Sequence, residues 1–211
     1  MLCGSIPAWH TTGGVGGLGL LGPFKKPELK DEIAAEIASI GPLDAREHED
    51  MRATLDWIRS GAGIFRIAKP DKPPKHLIAY FVVVDSDHVL LVDHKNSGLW
   101  LPPGGHVDPG EHPRDTVIRE AVEELGMKAQ FERPEPVMLT VVETVGRTAG
   151  HTDVCLWYVL AGDRQVSLDY CREEFNSIRW FHRDEVPATR VEPNLARFFR
   201  KFYGPESVVL R

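Results

Sequence analysis

The sequence predicts an α/β fold, an α/β/α sandwich with a mixed β-sheet between helices, on three observations. Leu77 to Val84 (LIAYFVVV) is a nearly unbroken β-branched and aromatic run, as expected of a strand covered on both faces. Amphipathic stretches stand before it (Ile33, Ile37, Ile40) and far after it (Leu195, Phe198, Phe199, Phe202), with apolar residues at helical spacing. Between them, short strand-like runs alternate with turn-rich breaks and one long acidic helical segment. A mixed sheet with helices on both faces is the architecture that best buries a two-sided strand together with amphipathic helices.

In order along the chain, Met1 to Phe24 is rich in Gly, and residues 1–26 read as a flexible leader. Its apolar part, Val15 to Leu21, is too short and too Gly-rich to span a bilayer and lacks a basic flank, so no membrane segment or secretory signal is expected. Residues 27–62 read as a helical pair. Pro27 suits a first helical turn, Gly41-Pro42 ends the first stripe, Asp44 and Glu47 resemble a capping box, and Met51, Leu55 and Ile58 form a second stripe ending near Gly61. The pair either covers an exposed side of the main domain or serves as a homodimer surface or substrate lid; the apolar stripe must be buried somewhere. The main domain is expected over 63–211, with its core at 76–204. Ile64 to Ile67 reads as an edge strand, and the Pro-rich run Lys69 to Pro74 as a connection. Further strands are expected at Val89 to Val92, Ala129 to Phe131, Val137 to Val145, Val154 to Leu160 and Ile178 to Phe181, with Gly98 to Leu101 leading into Pro102-Pro-Gly-Gly105. Pro193 is expected to open the last helix, which stops at Gly204.

The 25 basic and 31 acidic residues give a formal charge of −6, which argues against general nucleic-acid binding through a broad basic surface. Three cysteines without a C-x-x-C pair (Cys3, Cys155, Cys171) suggest neither a disulfide framework nor a zinc site, and a reducing cytoplasm fits.

The chemistry is concentrated in Gly105 to Met127, GHVDPGEHPRDTVIREAVEELGM. Glu120, Glu123 and Glu124 share one helix face, where like charges repel; a hard divalent cation that prefers oxygen ligands, Mg²⁺ or Mn²⁺, is the natural compensation. Gly104-Gly105 reads as a turn whose backbone can approach a ligand closely. Arg119 has a planar fork that can orient Glu120 or the loop acid Glu111. Trp100 and Tyr80 offer aromatic faces to a base, though an aromatic beside a strand is more often core. His94, Lys95, His106, Arg66 and Arg147 are candidate phosphate contacts. His151 and Asp153 follow the Gly146 to Gly150 turn on the side opposite the cleft, and two ligands alone do not complete a metal site.

This spacing resembles the Nudix box, G-x5-E-x7-R-E-U-x-E-E-x-G-U, with Gly105, Glu111, Arg119, Glu120, Glu123, Glu124 and Gly126 in the fixed places and Met127 in the last apolar one; only Ala121 is smaller than usual. The resemblance covers roughly residues 76–204. It implies the same sandwich and a hydrolase of a nucleoside diphosphate linked to another group. It also implies a Mg²⁺ site (Mn²⁺ as alternative) at Glu120, Glu123, Glu124 and the carbonyl matching Gly105, with Gly104 as a second candidate. Family members draw the general base from the box or from a later loop, which here leaves Glu120 and either Glu173 or Glu174, with Glu174 preferred. In branches specialised for ADP-ribose or dinucleoside polyphosphates a Pro or Tyr often stands downstream of the box, where this chain has Glu143-Thr-Val145. A nucleoside triphosphate is therefore the expected small-molecule partner, with a nucleotide sugar or ADP-ribose as alternatives. A ligand-binding module without catalysis is the competing class.

Overall fold

Strand β1 (Lys75–Asp85) is the axis of the fold. The computed structural model describes residues 28–68, 72–144 and 150–205; the leader, Pro27, Val145 and Arg147 lie outside the described residues. The side chains of β1 alternate between two cores. Leu77, Ala79, Phe81 and Val83 enter one, while Ile78, Val82 and Val84 enter the other, which is why the run is apolar without interruption.

Around β1 the chain builds a seven-stranded mixed sheet from β2 (His88–His94), β3 (Trp100–Leu101), β4 (Gly104–His106), β5 (Met138–Glu143), β6 (Thr152–Ala161) and β7 (Phe175–His182). The path runs β3-β2-β1-β6-β5, with β7 on β2 and β4 on β1. β1 and β6 are parallel over ten residue pairs, from Lys75 and Thr152 to Val84 and Ala161. β2 pairs with β1 only at Val83 to Asp85 and then diverges. Into the opening comes β4, antiparallel to Ile78 to Tyr80, with the Phe81 N–H donating to Pro103 O (3.0 Å) at the branch point. This split in the sheet is where a cleft forms.

Helices α1 (Leu29–Ala38), α2 (Ala45–Arg59) and α3 (Pro113–Leu125) cover one face, and α4 (Leu195–Tyr203) covers the other. Asp44 caps α2 by accepting from the Glu47 N–H at 2.9 Å. The Glu47 side chain does not close the expected box; it is fully buried and accepts from Leu43 N–H (2.7 Å), Leu139 N–H of β5 (3.1 Å) and Lys201 of α4. The stripes of the helical pair point inward. Ile33, Ile37, Ile40, Met51 and Ile58 belong to the same buried cluster as Leu77 and Phe81, so these side chains face the sheet of their own chain.

Further expectations for the elements differ from the structure. Ile64 to Ile67 is not a strand: Ile64 is buried and its carbonyl accepts from Leu77 N–H (2.9 Å), whereas Ile67 is 72% exposed and turns back to Lys72. Ala129 to Phe131 makes one bridge, Phe131 to Leu160, before Pro134 and Pro136 end any ladder. Gly104-Gly105 forms strand β4 rather than a turn, because its backbone lies flat against β1. The last helix begins at Leu195, not Pro193, because Asn194 occupies the N-cap and its N–H is held by the Glu192 carboxylate. Among the described residues no helix is long and apolar enough to cross a membrane.

Candidate active site

A cleft of about 680 Å³ opens at the split between β1 and β2, within the range of small-molecule sites. Its walls include Gly104, Gly105, Arg119, Glu120, Glu123, Glu124 and Glu174. The expected catalytic and metal-ligating residues are thus brought together, although Glu174 lies fifty residues beyond the helix in sequence.

Helix α3 starts with Pro113 in its first turn and ends at Gly126, whose φ of +60° favours a residue without Cβ. Ala121, Val117 and Leu125 face the core, which leaves the acids to face β4. A larger residue at Ala121 would meet that core, so the small side chain at this box position has a packing reason. Of the two glycines of β4, Gly105 admits the Glu120 carboxylate and Gly104 admits the backbone of β1. A Cβ on Gly105 would stand 1.9 Å from Glu120 Oε1, and one on Gly104 would stand 2.3 Å from Ala79 O. Gly104 N–H donates to Glu124 Oε2 at 2.8 Å.

Arg119 is held by the loop acid and in turn holds the helix acids. Its Nε and Nη2 donate to the two oxygens of Glu111 at 3.0 Å each, and its Nη1 donates to Glu120 Oε1 (2.6 Å) and Glu123 Oε2 (3.2 Å). Glu111 also accepts from Thr116 Oγ1 (2.7 Å) and Asp108 N–H (3.2 Å). Burial opposes ionisation of Glu111, but the bonds from Arg119, Thr116 and Asp108 outweigh it and hold its pKa below the usual value.

The acids at the cleft are pushed the other way. Burial raises the Glu120 pKa against the pull of Arg119, with Glu123 and Glu174 adding repulsion. Burial raises Glu124 further, well above the usual carboxylate range, and Glu120 and Glu174 add to it against the single Gly104 N–H. Such a set of desolvated, mutually repelling oxygen donors fits a hard divalent cation, whose charge would offset both effects.

Of the weaker candidates, Tyr80, Arg66, His94, His106, His151 and Asp153 also line the cleft. Trp100 does not; it packs edge-on against Phe181 at 5.1 Å in the core on the α4 side. Lys95 is turned away, donating from Nζ to Arg172 O at 2.5 Å. Glu173 is exposed and outside the cleft wall, which separates it from its neighbour Glu174. The expected placement of His151 and Asp153 opposite the cleft is corrected: the start of β6 lies beside the start of β1, at the cleft.

A sequence profile of the NUDIX domain matches residues 74–202. The chain belongs to the Nudix family. It is 46% identical over 114 residues to the uncharacterized Nudix hydrolase YvcI of Bacillus subtilis, covering 53% of this chain and 69% of that protein. It is 32% identical over 149 residues to the putative 8-oxo-dGTP diphosphatase 3 of Mycobacterium tuberculosis, covering 69% of this chain and 62% of that one. It is 29% identical over 118 residues to the asymmetrical bis(5'-nucleosyl)-tetraphosphatase of Mus musculus, covering 53% and 75%. The chain spans about a third of the length of the mouse nucleoside diphosphate-linked moiety X motif 6, to which it is 27% identical over 111 residues. Among solved structures, a Nudix-family hydrolase from Clostridium perfringens superposes with a TM-score of 0.47 at 22% identity, covering 56% of this chain and 89% of that one.

Two residues that sequence reasoning missed stand at this Nudix cleft. Glu192 lines it with its carboxylate buried, and its pKa is pushed up to about 7 by that burial. His76 is fully buried behind the wall, next to His106, His151 and Asp153. Neither has a local motif, and only the strand register and the burial of the fold single them out.

Proposed function

We propose that this Nudix protein is a Mg²⁺-dependent hydrolase that cleaves the diphosphate linkage of a nucleoside diphosphate joined to another group, with a nucleoside triphosphate as its substrate. The observation that carries this reading is the pair of desolvated, mutually repelling carboxylates, partly buried Glu120 and buried Glu124, pressed against the side-chain-free backbone of Gly105 and Gly104. Glu120, Glu123, Glu124 and the Gly105 carbonyl would hold the cation, with Mn²⁺ as an alternative. When bound, the cation neutralises phosphate oxygens and lowers the pKa of a bound water. Arg119, braced by both oxygens of Glu111, fixes the direction of Glu120. Glu174 at the cleft rim takes the proton of the attacking water. Glu120 is less suited to that task because one of its oxygens is already committed to Arg119 at 2.6 Å. Arg66 adds positive charge to the wall, where a polyphosphate would lie. The triphosphate assignment draws on relatives named as 8-oxo-dGTP diphosphatases; the tetraphosphatase relative makes a dinucleoside polyphosphate the competing substrate.

The test is turnover of nucleoside triphosphates (oxidised dGTP included), nucleotide sugars, ADP-ribose and a dinucleoside tetraphosphate with Mg²⁺, comparing wild type with Glu124→Gln. A triphosphate is expected to give the highest kcat/KM. The substitution is expected to lower it about 100-fold or more, beyond the loss typical of groups that only orient ligands. Equal turnover in the two proteins, or nucleotide binding by wild type without turnover of any compound, would overturn the reading.

A further inference from the structure

We propose that the chain carries a second metal site, apart from the acidic helix, in which His76, His106, His151 and Asp153 hold one Zn²⁺ ion. This inference does not depend on the proposed hydrolase activity, since none of the acids of α3 takes part. Strand register assembles it. The parallel pairing of β1 with β6 sets His76 beside Asp153, the antiparallel pairing of β1 with β4 sets His106 across from Ile78, and His151 immediately precedes β6. One ligand atom from each of the four residues lies within 4.8 Å of all the others.

The two distances to the shared carboxylate oxygen are those of a coordination sphere. Asp153 Oδ1 is 3.3 Å from His76 Nε2 and 3.2 Å from His151 Nε2. The edge of a tetrahedron with metal–ligand bonds of the length zinc makes is about 3.3 Å. His76 also has the kind of outer partner that metal-bound histidines use. His76 Nδ1 meets Pro73 O at 2.9 Å, and a carbonyl can only accept, so Nδ1 carries the proton. Thr144 Oγ1 lies 3.0 Å from His151 O and 3.2 Å from His151 Nδ1, and accepts from the His151 N–H at 3.3 Å. In the neutral His76 ring the proton on Nδ1 leaves the Nε2 lone pair facing Asp153 Oδ1 at 3.3 Å. Two acceptors that face each other are reconciled by a cation between them.

The donor set selects the metal. Three imidazoles and one carboxylate suit Zn²⁺ rather than Mg²⁺, which takes oxygen ligands. Four protein ligands complete a tetrahedron, and His76 and His151 are buried (0% and 6% exposed), so the site is of the closed, structural kind. It ties together the ends of β1, β4 and β6, and His106 directly follows Gly105. The zinc thereby clamps the strand that carries the glycine backbone against Glu120 and Glu124.

The experiment measures metal content of the full chain after dialysis in Mg²⁺ buffer freed of transition metals, then adds Zn²⁺, or Co²⁺ as a spectroscopic stand-in. The wild type and Glu124→Gln are expected to retain about one zinc per chain, and Co²⁺ to give the intense visible absorption of a tetrahedral site. His76→Ala is expected to lose at least about nine-tenths of the zinc. Because His76 is buried, Asp153→Asn, which removes the shared oxygen charge at a partly exposed position, provides a second variant; a folded Asp153→Asn is expected to bind zinc at least about 10-fold more weakly. Wild-type protein that takes up neither ion stoichiometrically, or variants that bind zinc as well as wild type, would overturn the proposal.

Discussion

Glu192 closes the cleft wall from the C-terminal side, and its surroundings decide its protonation. It is 3% exposed and accepts from the Asn194 N–H (2.5 Å) and side-chain amide (3.1 Å), yet burial outweighs both and pushes its pKa from 4.5 to about 7. Below pH 4.5 the group is protonated in both folded and unfolded chains, and its contribution is fully present. As pH rises from 4.5 to about 7 the unfolded chain releases the proton first, so stability falls across this window. The loss is on the order of 3 kcal/mol for this group. Glu192→Gln should flatten that fall, as measured by urea unfolding at stepped pH in metal-free buffer; a slope unchanged from wild type would refute it. At the residue scale the box itself was legible in the sequence, because a helix turns a fixed spacing into a shared face. The Arg119 to Glu111 pairing was also anticipated as one of two options. Glu192 and His76 were not, because their significance arises from desolvation and from neighbours about thirty to ninety residues away.

Helix α2 does for strand β5 what another strand would otherwise do. β5 lies at the end of the sheet path, so alternate backbone N–H groups point away from β6. Glu47 accepts from Leu139 N–H at 3.1 Å, and the Val141 N–H favours the charged form of Asp50, one turn on. Two acids at i and i+3 on the helix thus meet N–H groups at i and i+2 on the strand, and the edge is covered against pairing with another chain. Lys201 of α4 neutralises Glu47 from the opposite face of the sheet. Glu47→Ala removes a partner from Leu43, Leu139 and Lys201 together, and should cost about 3 kcal/mol, the loss expected for breaking a buried ion pair. Equilibrium unfolding measures the cost, and amide exchange should quicken at Leu139. A loss under about 0.5 kcal/mol, the range of ordinary surface substitutions, would remove the assigned role. The sequence revealed the N-cap at Asp44 but pointed Glu47 to the wrong partner, since a capping-box pattern does not reveal that an edge strand lies beside it. In the same way Gly104-Gly105 read as a turn, because glycine signals close approach without saying to what.

At the scale of the whole molecule, the sequence divided the chain into a helical pair and a main domain, and the NUDIX match begins at residue 74. The sandwich was legible because a strand apolar on both faces requires two covering layers. Of the readings the pattern offered for the pair, covering an exposed side of the main domain is the one its buried stripes fit. Ile33, Ile37, Met51 and Ile58 are buried with Leu77, Phe81 and Leu156 in one cluster. Polar links add to this: Glu36 accepts from Tyr158 Oη (2.9 Å) and Arg114 Nη2 (3.1 Å), and Asp44 accepts from Arg197 Nη2 of α4 (2.7 Å). We therefore propose that residues 28–62 and the main domain form one folding unit. Burying those four side chains is worth about 6–12 kcal/mol at the usual 1.5–3 kcal/mol each, which equals the whole net stability of a typical domain. The full chain should accordingly unfold in urea in a single transition, coincident by near-ultraviolet and far-ultraviolet circular dichroism. The fragment 63–211 should lack that transition, lose its near-ultraviolet signal and bind a hydrophobic dye, as a chain without fixed packing does. A fragment 63–211 that unfolds cooperatively within about 1 kcal/mol of the full chain would mean that the pair is an accessory to the sheet rather than a layer of it.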